Sequence, residues 1–362
     1  MKTLACGLLA ATALCSMNNV VASAEIEVVA SIKPVHSLVS AVMAGVGEPG
    51  LIVAGAGSPH TYSLKPSQAA ALENADLIFW VGPEMETFLV KPIETIGADA
   101  EAVELIDAPG LIKLGFREGG PFEAHDDDHG EHDEMAEGEH HEGHEHEEIA
   151  EDEHDGNHEH EEIAESEHDD DHEHDEVAAS EHDDEHDHGG FDGHIWLDPV
   201  NAKMIVHEIE ETLVAHDPDN AATYEANAAD VTAKLDALIA EIETMLAPVQ
   251  DKGFVVFHDA YHYFEDRFGV TAAGSITVSP EVIPGAERIG EIQAKVGELG
   301  ASCVFAEPQF EPKLVAVVVE GTDAQSGVLD PLGSDLEDGP DLYFDLIRNL
   351  ARSMRDCLAE AS

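Results

Sequence analysis

Short apolar runs alternate with helix-like segments on both sides of a long polar tract, and this alternation restricts the fold more than any other feature. The runs have the length of strands and are rich in Val, Ile and Phe: Ile26–Ala30, Leu51–Val53 and Asp76–Val81 before the tract, and Gly253–Phe257, Thr271–Ile276 and Cys303–Phe305 after it. Strands that alternate with helices indicate βαβ units and parallel pairing. We therefore predict an α/β fold of two lobes, each with a mainly parallel sheet flanked by helices.

A long helix is predicted between the lobes. From Pro218 to Leu246, apolar residues recur in steps of three and four: Tyr224, Ala228, Val231, Leu235, Leu238, Ile242 and Met245. This helix would be either a rigid spine within one chain, which we predict, or a coiled-coil seam between chains. The expected organisation is a signal peptide (residues 1–24), an N-terminal lobe (25–217), a connecting helix (218–247) and a C-terminal lobe (248–362), in a monomer.

The polar tract, here called the insert, covers about residues 122–190 of the N-terminal lobe. Between Phe122 and Phe191 it carries 16 of the 23 histidines and 33 of the 78 acidic residues. A 14-residue repeat brings two sets of histidines into register: His132, His146, His160 and His174, and His140, His154, His168 and His182. Imidazole with carboxylate is a composition that binds divalent metals. We predict weak, auxiliary metal binding; the alternative is a solvated acidic linker whose histidines are incidental.

The charge of the chain excludes some classes of partner. The formal net charge is −62 at pH 7, and 45 acidic residues remain against 16 basic ones when the insert is left out. Nucleic acid and anionic membrane surfaces both require a positive face. Cations are the partners that this charge favours, and we expect no nucleic-acid binding.

The N-terminus has the pattern of an export signal. Lys2 is followed by the apolar stretch Leu4–Leu14 and by a small-residue site that predicts cleavage after Ala24. The apolar stretch is too short to span a membrane. A lipoprotein anchor at Cys15 is the weaker alternative, because Leu14 stands where a small residue is expected. We predict a soluble, periplasmic protein.

After cleavage, the mature chain keeps two cysteines, Cys303 and Cys357. An even pair in an oxidising compartment favours a disulfide. Metal ligation is the alternative, although Cys303 lies within an apolar run and Cys357 on an amphipathic helix.

Four residues outside the insert stand where metal ligands would be expected. His60 and His258 follow predicted strands, Asp330 follows a further predicted strand at Val328–Leu329, and His194 begins the segment after the insert. In open parallel sheets, ligands bind beyond the carboxyl ends of the strands. Any one of these residues alone would more often be an ordinary surface or hydrogen-bonded residue. Together they predict a metal site in the cleft between the lobes.

Several long stretches also carry a family resemblance: GSPHTYSLKPSQAAALENADLIFWVGPEMETFL (57–89), GHIWLDP (193–199), FHDAYHYFEDRFG (257–269), CVFAEPQF (303–310) and LDPLG (329–333). The chain resembles the periplasmic zinc-binding proteins of high-affinity zinc transporters, a group within the metal-specific substrate-binding proteins of ABC importers. The resemblance extends over nearly the whole mature chain and includes the position of the insert.

The resemblance implies a ligand set and a disulfide. The family's ligand histidines match His60, His194 and His258, and the acidic residue that completes or approaches the site matches Asp330. Cys303 and Cys357 match the family's disulfide pair. Some members place a glutamate before the first histidine, where this chain has Pro59. The fourth ligand is then Asp330, which we predict, or water.

The ligand set is consistent with zinc. Three imidazoles with one carboxylate suit tetrahedral Zn²⁺, whereas manganese-specific relatives place a carboxylate where His258 stands. We predict that the chain is not an enzyme: it captures Zn²⁺ and delivers it to an ABC permease at the inner membrane. The alternatives are a zinc hydrolase, which an open metal position would allow, and a metal buffer or adhesin without a transport partner.

Overall fold

The computed structural model describes residues 26–117, 122, 190–277, 285–310 and 313–360. All of these residues belong to one compact unit, formed by the chain up to His125 and from His188 onward. The predicted signal peptide and the eight histidines of the 14-residue repeat lie outside the described residues. Within the described ranges, no helix combines the length and the apolar character that crossing a membrane would require.

The first sheet has four parallel strands in the order β2-β1-β3-β4. Its strands are β1 (Val28–Ile32), β2 (Gly50–Val53), β3 (Leu77–Trp80) and β4 (Glu101–Glu104), and its helices are α1 (Lys33–Val42), α2 (Pro66–Asn74) and α3 (Thr87–Thr95). Every residue of β1 and β3 is buried, as expected for inner strands covered by helices on both faces. A proline occupies the first turn of α1 and of α2, where the backbone N–H has no partner within the helix.

Two long helices follow the insert: α4 (Pro199–His216) and α5 (Ala221–Leu246). At 26 residues, α5 is about 39 Å long. Its buried residues follow the predicted stripe except at the end, where Leu246 replaces Met245: Tyr224, Ala228, Val231, Leu235, Leu238, Ile242 and Leu246. Because α5 packs against α1 and α4, this stripe is buried within the molecule. The helix is therefore an internal spine, and its apolar face is not available for a coiled coil.

The second sheet repeats the topology of the first, in the order β6-β5-β7-β8. Its strands are β5 (Phe254–His258), β6 (Ala272–Thr277), β7 (Cys303–Ala306) and β8 (Gln325–Val328), and its helices are α6 (His262–Phe268), α7 (Ala286–Leu299) and α8 (Lys313–Val319). The sequence placed the last strand at Val328–Leu329 and predicted no helix at α8. The two parallel sheets and the long helix confirm the predicted fold class.

The last helix, α9 (Leu342–Glu360), packs against α5 and α1. Cys357 on this helix forms a disulfide with Cys303 of β7, with 6.2 Å between the Cα atoms. The predicted disulfide is thus confirmed. Buried residues of both sheets and of α5 form one continuous core, so the two lobes fold as parts of a single unit.

The segment that follows the insert is fixed between the two lobes. The Trp196 indole Nε1 donates to the carbonyl of Pro331 at 2.9 Å, and the Tyr343 hydroxyl donates to the carbonyl of Trp196 at 2.7 Å. Arg267 of α6 forms two hydrogen bonds of 2.7 Å with the carboxylate of Asp198. The two contacts of Trp196 hold the chain around His194 at a defined position beside both sheets, and the pair formed by Arg267 and Asp198 joins α6 to the start of α4.

Candidate metal centre

Three of the four predicted ligands come together beyond the carboxyl ends of the strands. His60 lies in the loop after β2, His258 is the last residue of β5, and His194 precedes a short 3-10 helix. The ring centroids are 5.5 Å apart for His60 and His194, 5.8 Å for His60 and His258, and 5.3 Å for His194 and His258. One nitrogen from each ring lies within 4.8 Å of the other two. Each sheet supplies one of these residues, so the site lies between the lobes.

Two of these imidazoles are oriented by buried carboxylates. Asp192 accepts a hydrogen bond from His194 Nδ1 at 2.6 Å and one from the backbone N–H of the same residue at 3.0 Å. Glu307 accepts from His258 Nδ1 at 2.7 Å. Asp192 is 2% exposed and Glu307 3% exposed. Since Nδ1 carries the proton in each ring, Nε2 of the neutral ring carries the lone pair.

The two Nε2 atoms face each other. They are 3.4 Å apart, and while both rings are neutral neither Nε2 has a hydrogen to donate, so their lone pairs repel. Tetrahedral Zn²⁺ with Zn–N bonds of about 2.0–2.1 Å places two ligand nitrogens about 3.3–3.4 Å apart. The spacing is therefore that of two ligands of one ion, and a cation between them would remove the repulsion.

Burial and local charge set the protonation of the site. Burial, together with the neighbouring His194 and His258, lowers the pKa of His60 well below 6.5, so this ring is neutral at pH 7. Burial also lowers the pKa of His258, but the charge and hydrogen bond of Glu307 outweigh it, and the net pKa is raised above 6.5. The site thus offers a neutral imidazole beside rings whose remaining N–H groups point at carboxylates.

The space between the imidazoles is small. A cavity of about 10 Å³ is bordered by the three histidines, with Phe310 and Leu332 among its other walls. This volume accommodates about one water-sized particle. The site fits a single ion and is too small for an organic substrate.

Asp330 is not part of this cluster. Its Oδ1 accepts from Gln309 Nε2 at 2.8 Å and from the backbone N–H groups of Leu332 and Gly333 at 3.1 and 3.0 Å. Its Oδ2 accepts from the N–H and the hydroxyl of Ser334 at 2.6 and 2.7 Å. Both oxygens thus hold the loop that borders the cavity. Ligation by Asp330 stays a prediction, and it would require this loop to give up hydrogen bonds.

Sequence reasoning missed the two carboxylates that orient the ligands. Glu307 directly follows β7, so the rule that pointed to His258 at the end of β5 could have identified it. Asp192 precedes His194 by two residues, and a carboxylate so close to a candidate ligand was a second usable signal. The eight insert histidines lie outside the described residues, and their metal binding stays a prediction.

Comparison with known proteins identifies the family of this chain. The family model described as ZnuA, zinc-uptake complex component A, periplasmic, matches residues 28–357. A high-affinity zinc uptake system protein ZnuA from Brucella suis is 61% identical over 333 residues, covering 92% of each chain. The corresponding protein of Paracoccus denitrificans is 42% identical over 332 residues, covering 91% of each chain.

Solved structures share the fold. A ZnuA deletion mutant with zinc bound superimposes with a TM-score of 0.65 at 21% identity, covering 92% of this chain and 97% of the other. A laminin-binding protein of Streptococcus agalactiae gives a TM-score of 0.63 at 20% identity, covering 92% and 99%. The family model spans nearly all of the chain outside its N-terminal 27 residues. The chain therefore belongs to the ZnuA family of periplasmic zinc-uptake components.

Proposed function

We propose that this protein captures Zn²⁺ in the periplasm through His60, His194 and His258 and delivers it to the permease of an ABC importer. The observation that carries the proposal is the 3.4 Å approach of two Nε2 atoms whose rings donate their Nδ1 protons to carboxylates. The third imidazole offers a nitrogen within 4.8 Å of a nitrogen of each of the other two rings. Three imidazole nitrogen donors around a space for one ion suit Zn²⁺ better than the oxygen-preferring Mg²⁺, Ca²⁺ or Mn²⁺.

The fourth coordination position falls to water or to Asp330. Asp330 accepts four hydrogen bonds from the loop and one from Gln309, and these favour water, because ligation would leave backbone N–H groups unpaired. A water-filled position also supports delivery, since an exchangeable ligand gives the ion a route to the next binding site.

The rest of the chain fits the transport role. We propose that residues 1–24 direct export and are removed after Ala24, and that the mature protein acts as a monomer that docks to a permease at the inner membrane. The insert histidines would bind zinc weakly close to the cleft and raise the local ion concentration. Imidazole must be neutral to bind metal, so this weak binding should fade as the pH falls through about 6.5.

Zinc titration in the presence of a competing chelator tests the proposal. The chain without residues 123–188 should keep one tight site and lose the weak ones. Replacing His60, His194 or His258 by alanine should abolish the tight site, whereas His207→Ala, on the exposed face of α4, should leave it unchanged. Tight binding that survives all three ligand substitutions would overturn the proposal.

Membership in a transport family, together with a cavity for a single ion, favours transport over hydrolysis. Zinc-loaded protein should therefore show no hydrolysis of ester, peptide or phosphate substrates. A strain that lacks the protein should grow poorly when zinc is scarce and recover when zinc is added. Normal growth under zinc limitation would instead support a buffer or adhesin.

A further inference from the structure

The chain just before the insert and the chain just after it lie side by side against α6. Gly115 and Phe191 pair in an antiparallel bridge. The Tyr263 hydroxyl accepts from the backbone N–H of Leu114 at 3.0 Å and donates to the carbonyl of Asp192 at 2.7 Å. The two segments that flank the insert are thus held together by the helix that follows the ligand His258.

Just beyond this bridge, the guanidinium of Arg117 is shared by two carboxylates. Its Nε donates to Asp259 Oδ2 at 3.0 Å, and its NH2 group donates to Asp259 Oδ1. Glu265 of α6 accepts two further hydrogen bonds, at 2.8 and 3.0 Å. The side chain of Arg117 is 16% exposed, that of Asp259 10% and that of Glu265 4%. These shielded charges depend on one another, because little water reaches them.

Both carboxylates belong to the segment that follows the end of β5. Asp259 is covalently adjacent to the ligand His258, whose carbonyl accepts from the N–H of Ala260 at 2.9 Å in a tight turn. Glu265 lies on α6, which follows this turn, and it also accepts from the N–H of Ala272 at 2.8 Å, at the start of β6 and opposite the first residue of β5. A displacement of Asp259 would therefore move the backbone that carries the His258 ring, and Glu265 holds the helix that follows this backbone.

We propose that Arg117 is a positioning residue for zinc binding: by holding Asp259 and Glu265, it fixes the end of β5 so that His258 Nε2 stays at ligand distance from His194. This inference rests on the proposed function, since it assumes that the three histidines bind zinc. The same guanidinium also links the segment just before the insert to the end of β5, the strand that carries His258.

Substitution of Arg117 can be compared with a matched control. Arg267 also forms two hydrogen bonds with one buried aspartate and also ties α6 to the N-terminal lobe, but its partner Asp198 is not adjacent to a ligand. We expect Arg117→Gln to weaken zinc binding severalfold, which is less than the about 10- to 100-fold loss that follows removal of a group hydrogen-bonded directly to a ligand. It should also change the visible absorption spectrum of the Co²⁺-loaded protein, which reports ligand geometry. Arg267→Gln should lower the unfolding temperature without altering the spectrum.

A second pair of variants covers the case in which Arg117→Gln does not fold. Arg117→Lys keeps the charge but cannot hold both carboxylates with two hydrogen bonds each, so it should fold and bind zinc with intermediate affinity. In the Arg117→Lys background, Asp259→Asn should weaken zinc binding less than it does in the wild type if the two residues act together.

The outcomes separate the inference from the function on which it rests. Equal losses of affinity in Arg117→Gln and Arg267→Gln, or an unchanged Co²⁺ spectrum in the former, would overturn the positioning role alone. If His258→Ala in an otherwise unchanged chain retained tight zinc binding, the proposed function itself would fail.

Discussion

Glu307 provides a sharp test of how the fold prepares the site, because it is buried and accepts the Nδ1 proton of His258 at 2.7 Å. In Glu307→Gln the shape is kept but the charge is lost. Loss of a carboxylate that is hydrogen-bonded to a metal ligand lowers metal affinity about 10- to 100-fold, which corresponds to about 1.4–2.7 kcal/mol of binding free energy. We expect a loss near the lower end at pH 8, since the glutamine amide oxygen can still accept the proton.

The substitution should also change the pH dependence of binding. Burial lowers the pKa of His258, and Glu307 raises it to a net value above 6.5, so protons compete with zinc at a higher pH in the wild type. Without the carboxylate the pKa of His258 falls, and proton competition begins at a lower pH. The ratio of wild-type to variant affinity should thus be largest near pH 8 and shrink as the pH falls toward 6.

Chelator competition at several pH values measures both effects. Glu86→Gln is the matched control: Glu86 is also fully buried and also lies beyond a strand end, but it accepts from the backbone N–H groups of Val81 and Gly82 instead of an imidazole. Zinc affinity should be the same in this control as in the wild type. An affinity ratio for Glu307→Gln that does not vary with pH would refute the reasoning.

Three further predictions concern stability and the fourth ligand. Burial raises the pKa of the Glu86 carboxyl from 4.5 to about 7. Because a raised pKa means that ionisation is less favourable in the folded state, the free energy of unfolding of the metal-free protein should fall by about 3 kcal/mol between pH 4.5 and 7. In urea unfolding, this pH dependence should be absent from Glu86→Gln. Replacing Cys303 and Cys357 by serine should cost about 4 kcal/mol in urea unfolding, on the chain-entropy estimate for the loop that they close; an unchanged midpoint would contradict it. Asp330→Asn should lower the unfolding temperature yet leave the zinc coordination shell unchanged in X-ray absorption, whereas the loss of an oxygen neighbour would restore Asp330 as a ligand.

The sequence was most informative where one local pattern determined the outcome. Inner strands appeared as unbroken apolar runs because helices cover both of their faces, and the stripe on α5 appeared because one helical face is buried. His60 and His258 could be identified because the carboxyl ends of parallel strands collect ligands. Each of these inferences depends on a pattern within a short stretch of the chain and not on contacts between distant residues.

The features that the sequence did not reveal depend on tertiary contacts. β8 is a mostly exposed edge strand whose residues, QSGV, form no apolar run, and α8 is a helix whose sequence, KLVAVVV, is rich in β-branched valine. The hydrogen bonds of Asp330 depend on how the chain turns between Pro331 and Ser334. The contact between Arg117 and Asp259 joins residues 142 positions apart, which no local pattern specifies.

The central claim is that three imidazoles supplied by both lobes bind one Zn²⁺. X-ray absorption at the zinc edge tests it most directly, using the chain without residues 123–188 loaded with one equivalent of zinc. We predict three imidazole nitrogens at about 2.0–2.1 Å, falling to two in His258→Ala. A coordination shell made mainly of oxygen, or one that His258→Ala leaves unchanged, would contradict the account.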